Sequence, residues 1–210
     1  MRKGIFWSLA VAGTMVFAAC GSEESEEKVD EKPLDICFYD YNDASSEFSW
    51  TAYKTTDKVA VGGTFNDIEI MSDGSSDDPK ALIESMSFSM KTESVETNNI
   101  ERNGKIATLF FGVINTPSID GKVKELKDDG KAIIEVTMND MSVEVEGDYT
   151  LVDGKFTFDS SIDVSKWNAM AGIESLNEAC KDLHTGEDGV SKLWSEVTLS
   201  FTTQLSSDCD

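Results

Sequence analysis

Apolar residues occupy every second position in several short segments between residues 48 and 204, and this alternation constrains the fold more than any other feature. Met86, Phe88 and Met90, for example, alternate with serines. Successive side chains of a strand point to opposite faces, so each segment predicts a strand with one buried and one solvated face. The sequence therefore predicts an all-β fold.

Short turns separate the predicted strands and indicate their order. Residues 128–131 and 152–155 each contain a glycine that can supply the positive φ of a hairpin turn, and Asn139-Asp140 makes a third tight reversal. Strands joined by such turns are adjacent and antiparallel, which predicts a meander. We count about eight strands, the number that closes into an antiparallel β-barrel able to hold one small ligand.

One segment departs from the strand period. After Ser165, five apolar residues are spaced by three and four positions, namely Met170, Ile173, Leu176, Cys180 and Leu183. This spacing predicts a helix with one apolar face, and Gly186 is a typical C-terminal stop. The sequence thus predicts one α-helix packed on the barrel or across its mouth.

Several motifs occur in a fixed order between residues 37 and 205. They are W-T-A-Y-K-T-T-D-K at 50–58, V-x-G-T-F at 61–65, Ser94-Val95, N-G-K-I at 103–106, Phe110-Phe111, A-C-K-D-L-H-T-G at 179–186 and Lys192-Leu193-Trp194. Their order and spacing resemble the YceI-like family, in the variant found among lipoproteins of Bacteroidota-type bacteria. The resemblance implies a lipocalin-like carrier whose barrel holds a polyisoprenoid or another fatty amphiphile.

On that resemblance, large apolar residues of the predicted strands are candidate ligand-binding residues. They are Trp50, Phe65, Met86, Phe88, Met90, Phe110, Phe111, Val143, Phe156, Phe158 and Phe201. The adjacent Phe110 and Phe111 cannot both point inward on a regular strand. The alternative is that these side chains fill the interior, which would make the protein a packed surface module with a structural or protein-partner role and no ligand cavity.

Catalysis finds little support in the sequence. Its one histidine, His184, is accompanied by neither a G-x-S-x-G elbow nor a P-loop, and we expect it to be a capping or turn residue. The acidic clusters at 73–78 and 187–189 do not match a calcium-binding loop. We therefore expect neither an enzyme nor a cofactor or metal site.

The first twenty residues have the pattern of an export signal. Arg2 and Lys3 precede an apolar run at 4–19 that is short for a membrane span. The F-A-A-C sequence at 17–20, at the end of this run, has the pattern of a lipobox and predicts lipidation of Cys20. The alternative is plain secretory cleavage near Ala19, and either process exports the protein.

Four segments follow from these patterns: a lipoprotein signal peptide at 1–19, an acidic disordered tether at 20–33, the barrel domain at 34–205 and a C-terminal tail at 206–210. The net charge of −22 disfavours binding to nucleic acid and to anionic headgroups. We therefore expect a body held at the outer membrane by its lipid, facing the periplasm or the cell surface. The acidic run at 21–27, directly after Cys20, resembles a surface-export signal of Bacteroidota-like lipoproteins, or it is a spacer.

Export also permits disulfides. If Cys20 carries lipid, then Cys37, Cys180 and Cys209 remain, and one of these thiols is unpaired. The resemblance favours a Cys37–Cys180 disulfide, because both cysteines lie at matching places in the family. A Cys37–Cys209 disulfide, which would tie the first strand to the last, stays open.

Overall fold

Twelve strands and four short α-helices make up the fold, which the computed structural model describes over residues 36–209. The strands are β1 (Cys37–Asp40), β2 (Ser46–Lys54), β3 (Val59–Phe65), β4 (Ile68–Met71), β5 (Ser87–Lys91), β6 (Val95–Glu96), β7 (Ser118–Leu126), β8 (Lys131–Met138), β9 (Met141–Val152), β10 (Lys155–Asp163), β11 (Leu193–Gln204) and β12 (Ser206–Cys209). The helices are α1 (Pro79–Glu84), α2 (Ile100–Lys105), α3 (Met170–Ala179) and α4 (Lys181–His184). None of these helices has the length and hydropathy needed to cross a bilayer.

Ten strands form one curled antiparallel sheet, in the order β4-β5-β7-β8-β9-β10-β11-β2-β3-β6. Only Asn66 and Asp67 separate β3 from β4, and only the 3-10 turn Thr92–Ser94 separates β5 from β6. These two bent segments pair with each other, since β3 pairs with β6 and β4 pairs with β5. The β3–β4 segment and the β5–β6 segment thus each act as one bent strand, and their pairing closes the sheet into a barrel. Counted in this way, eight strand segments surround the interior, as predicted.

Alternation in the sequence corresponds to the inside and outside of this sheet. In β8, every second residue from Ala132 to Met138 is buried and the residues between them are half-buried. The turns after β8 and β9 have positive φ at Asn139, Asp140, Asp153 and Gly154, which matches the twist of two-residue hairpins. The meander predicted from these turns is confirmed, because β7 to β11 are neighbours in chain order.

The last described residues form a strand, although the sequence predicted a tail there. β12 pairs with β1 in a separate two-stranded sheet, and Cys37 forms a disulfide with Cys209. The predicted Cys37–Cys180 pairing is therefore wrong, and Cys180 is a buried free thiol. The strand register is the physical reason, because it places the Cα atoms of Cys37 and Cys209 4.0 Å apart, whereas Cys180 lies at the C-terminal end of α3.

Two helical regions pack against each other at one end of the barrel. The predicted helix is present but broken: the 3-10 turn Val164–Trp167 precedes α3, and α4 follows it. The apolar stripe of this helix is only partly buried, since Ile173 is buried while Met170 and Leu183 are exposed. The second region had no counterpart in the sequence prediction, and it consists of α2 and the π-helical turn Ile106–Phe111 that continues it.

Candidate functional site

The interior of the barrel contains two apolar cavities. The first has a volume of about 220 Å³ and lies where β2, β5 and β10 begin, beside α1 and the 3-10 turn Asp43–Ser45. Aliphatic and aromatic side chains form most of its wall. Its polar lining residues are Tyr41, Asp43, Ser46 and Ser87.

A second cavity, of about 170 Å³, lies at the opposite end beneath the two helical regions. Phe110 and Phe111 of the π-helical turn and Ile173 and Leu176 of α3 contribute to its wall, in which every residue is apolar or aromatic. Five residues border both cavities: Phe48, Phe88, Met90, Val136 and Leu199. The two cavities are therefore neighbouring compartments of one apolar interior.

Ten of the eleven residues predicted to bind a ligand line these compartments. Met86, Phe156, Phe158 and Phe201 line the first, Trp50, Phe65, Phe110 and Phe111 line the second, and Phe88 and Met90 line both. Val143 lines neither cavity; it is partly buried and packs against the core. Contact of these side chains with a ligand stays a prediction.

Phe110 and Phe111 are both buried, although a strand could not turn both of them inward. The π-helical turn permits it, because consecutive residues of a helix are not on opposite faces. Their ring centroids lie 4.9 Å apart in an edge-to-face arrangement. The two rings lie on the helical segment that closes one end of the barrel. They line the second cavity only because this segment is helical, which the sequence did not predict.

Sequence reasoning selected mainly aromatic residues and methionines and so missed much of the aliphatic lining. The missed residues on strands include Ile68, Ile70, Ile134, Val136, Val145, Val197 and Leu199. The period of two could have identified them, since each lies on the inward face of its strand. Ile83 of the six-residue α1 also lines the first cavity and carries no comparable signal.

Three large rings of the lining, Trp50, Phe88 and Phe158, lie over glycines of the neighbouring strand. Trp50 is opposite Gly63, Phe88 is opposite Gly121, and Phe158 lies over Gly147. A β-carbon built on any of these glycines would overlap the ring, so the ring occupies space that a side chain would otherwise fill. These glycines therefore let the three rings lie along the wall of the barrel.

A hydrogen-bonded cluster of hydroxyl groups borders the first cavity. The Oγ of Ser46 lies 3.0 Å from the Oη of Tyr41 and 2.8 Å from the Oγ1 of the buried Thr203. Burial, together with the hydrogen bond and charge of Asp43, raises the pKa of Tyr41 to about 12, against the lowering effect of Ser46. Tyr41 is therefore a neutral phenol near pH 7 and can donate a hydrogen bond.

A third cavity, which we call the basic pocket, has a volume of about 290 Å³ and lies among α2, α4 and the end of β2. Its charged and polar lining residues are Tyr53, Lys54, Asn99, Glu101, Arg102, Lys105 and His184. Five of its other residues also line the second apolar cavity: Trp50, Ala52, Ile106, Leu176 and Leu193. The basic pocket thus adjoins the apolar interior at its helical end.

His184 and Cys180 belong to the wall of the basic pocket. The Nδ1 of His184 lies 2.9 Å from the Oδ1 of Asn177. Burial lowers the pKa of His184, and the charges of Lys54 and Lys105 act in the same direction, so the ring is mainly neutral at pH 7. Within residues 36–209, no group of three or more His, Cys, Asp or Glu side chains is arranged to hold a metal ion.

The sequence matches a known domain family, and the fold is similar to solved structures. A model of the YceI-like domain matches residues 39–205. A polyisoprenoid binding domain from Saccharophagus degradans, implicated in plant cell wall breakdown, superposes with a TM-score of 0.56 at 13% identity, covering 84% of this chain and 100% of that one. BcnA from Burkholderia cenocepacia superposes with a TM-score of 0.53 at 16% identity, covering 80% and 99%. None of the curated proteins compared with this sequence matches it.

Proposed function

Because the chain belongs to the YceI-like family, we propose that it is a non-catalytic carrier that holds an isoprenoid or another amphiphilic lipid inside its barrel. The observation that carries the proposal is the pair of adjoining apolar cavities, of about 220 and 170 Å³. A lipid tail would gain ~0.8 kcal/mol for each CH₂ buried there. The polyisoprenoid-binding neighbour of similar fold supports a chain-like ligand.

The sizes of the cavities favour a ligand that occupies both. Each is smaller than the ~300–1,000 Å³ of typical ligand pockets, and a long tail therefore has to extend through the boundary between them. Val136 and Met90 lie at that boundary. The flexible side chain of Met90 suits a passage that opens when the tail enters. Unfilled space on both sides also argues against a solidly packed barrel.

Organic extraction of the purified protein followed by mass spectrometry tests this proposal. We expect a co-purifying prenyl or acyl species in about equimolar amount, since burial of ~20 carbons gives tight binding. A protein that stays without lipid after exposure to membrane extract would contradict the carrier function.

The variant Val136→Phe should reduce the co-purified lipid at least ~5-fold, because the added ring fills the boundary between the two cavities. Ile133→Phe is the matched control, since it adds the same ring on the opposite, half-buried face of β8. We expect the control to retain its lipid and both variants to keep the circular dichroism of a β-protein. Equal lipid content in both variants would show that the tail does not cross this boundary.

We also propose that the carrier is exported and anchored to the outer membrane through a lipid on Cys20, which lies outside the described residues. The Cys37–Cys209 disulfide supports export, because disulfides persist in oxidising compartments. Cys20→Ala should move the protein from the membrane fraction to the soluble exported fraction, as judged by fractionation and immunoblotting. Retention of this variant in the membrane would contradict anchoring through Cys20.

A further inference from the structure

The basic pocket is unusual in so acidic a chain. The sequence has 40 Asp and Glu residues against 18 Lys and Arg residues. Lys54, Arg102 and Lys105 nevertheless line one cavity together, where Glu101 is the one carboxylate. Arg102 is also the only arginine of the sequence apart from Arg2. The basic pocket therefore has a local excess of positive charge.

The three cationic side chains of the basic pocket make no salt bridge within residues 36–209. The salt bridges within residues 36–209 are made by Lys58, Lys80, Lys122, Lys127 and Lys131. The side chains of Arg102 and Lys105 have no ion pair or hydrogen bond in that range, and Lys54 Nζ donates only to the backbone oxygen of Leu183, at 3.0 Å. All three cations are half-buried. Partly desolvated charges without a carboxylate partner would be stabilised by a bound anion.

The positive charges converge at one end of the barrel. Lys54, Arg102 and Lys105 line the same cavity as His184, and the charges of both lysines help to lower the pKa of that histidine. The opposite end differs, because the first apolar cavity is lined there by Asp43 and has no cationic side chain in its wall. An amphiphile with a negative headgroup is therefore favoured in one orientation, with its headgroup at the helical end.

We propose that the basic pocket binds the anionic headgroup, a carboxylate or phosphate, of a single-chain lipid whose tail lies in the adjoining apolar cavities. This inference rests on the proposed carrier function and narrows its ligand to anionic amphiphiles. The guanidinium of Arg102 suits a carboxylate or phosphate because it can donate two parallel hydrogen bonds. Lys105 and Lys54 add positive charge, which outweighs the single negative charge of the exposed Glu101.

Two pairs of probes with identical tails test the headgroup: palmitate with hexadecanol, and geranylgeranyl phosphate with geranylgeraniol. Their affinities are measured on the delipidated full chain by displacement of the neutral dye Nile red. We expect each anion to bind at least ~10-fold tighter than its alcohol at low ionic strength, with a smaller ratio at high salt. A larger ratio for the phosphate pair than for the carboxylate pair would identify phosphate as the preferred headgroup, and the reverse would identify carboxylate.

The double variant Arg102→Gln and Lys105→Gln should bring each anion within ~2-fold of its alcohol and leave the affinity for the alcohol unchanged. Lys124→Gln with Lys155→Gln is the matched control, because it removes the same charge from exposed positions outside the basic pocket. The control should keep the full preference for anions. If the double variant also loses the alcohol, the single variants decide, and an unchanged preference in both of them would overturn the proposal.

The outcomes for the headgroup and for the carrier function are separable. Equal affinities for anion and alcohol in the unmodified chain, with both of them binding, would overturn the anionic headgroup and leave the carrier function intact. Binding of none of the four probes would count against the carrier function, and the headgroup site would fall with it.

Discussion

Replacing Trp167 with alanine is expected to lower the free energy of unfolding by about 3–5 kcal/mol. The Trp167 side chain is fully buried at the end of the 3-10 turn Val164–Trp167. Its Nε1 donates a hydrogen bond to the carbonyl of Val136 at 2.9 Å, and Asn139 Nδ2 donates to the Trp167 carbonyl at 2.8 Å. Trp167 therefore links the segment that follows β10 with β8 and with the turn after β8.

Urea unfolding followed by circular dichroism measures this loss, which is a large share of the ~5–15 kcal/mol typical of a domain. Trp167→Phe is the control, because it keeps most of the buried apolar volume and removes the Nε1 hydrogen bond. We expect it to lose about 1–2 kcal/mol. If alanine proved no more harmful than phenylalanine, burial of the ring would not be what holds this segment.

Removing the Cys37–Cys209 disulfide with Cys37→Ser and Cys209→Ser is expected to lower the free energy of unfolding by about 2–5 kcal/mol. The two cysteines are 172 positions apart, so the disulfide restricts nearly the whole domain in the unfolded state. The chain-entropy model gives larger effects for longer loops, which places this disulfide toward the upper part of the range. The β1–β12 ribbon should separate first, since within residues 36–209 its only other β-pairing is the isolated bridge between Tyr39 and Ser76.

Thermal and urea unfolding of the double variant test the disulfide, together with peptide mapping under non-reducing conditions. Cys180→Ala is the control, because this buried thiol is free and its replacement removes only one small group. We expect the control to lose about 1 kcal/mol. A linked Cys37–Cys180 peptide, or an equal loss of stability in the control, would show that the pairing is different.

Most of the barrel could be predicted from the sequence, because its signals are local. The alternation in β8 and the reversal at Asn139-Asp140 each lie within a few residues, and both correspond to observed strands and turns. The disulfide could not be predicted from such signals. It depends on the register between β1 and β12, which lie at opposite ends of the domain sequence, and no local pattern of Cys37 or Cys209 specifies that register.

The same distinction applies to the candidate site. The inward residues of the strands follow from the period of two, but the cover of the second cavity depends on the π-helical turn that buries both Phe110 and Phe111. The basic pocket depends on tertiary structure alone. Lys54 lies at the end of β2 and Arg102 belongs to α2, and nothing in the sequence around either residue indicates that they line one cavity.

In the proposed carrier, the contact of Phe88 with Gly121 would let the wall of the barrel limit the tail that fits inside. Phe88 borders both apolar cavities, and its ring lies over a residue that has no side chain. One methyl group added at position 121 would displace the ring from the wall and reduce the room between the two compartments. Exchange of glycine for alanine at such positions would therefore change the length of tail that the proposed carrier accepts, with every charge of the basic pocket left in place.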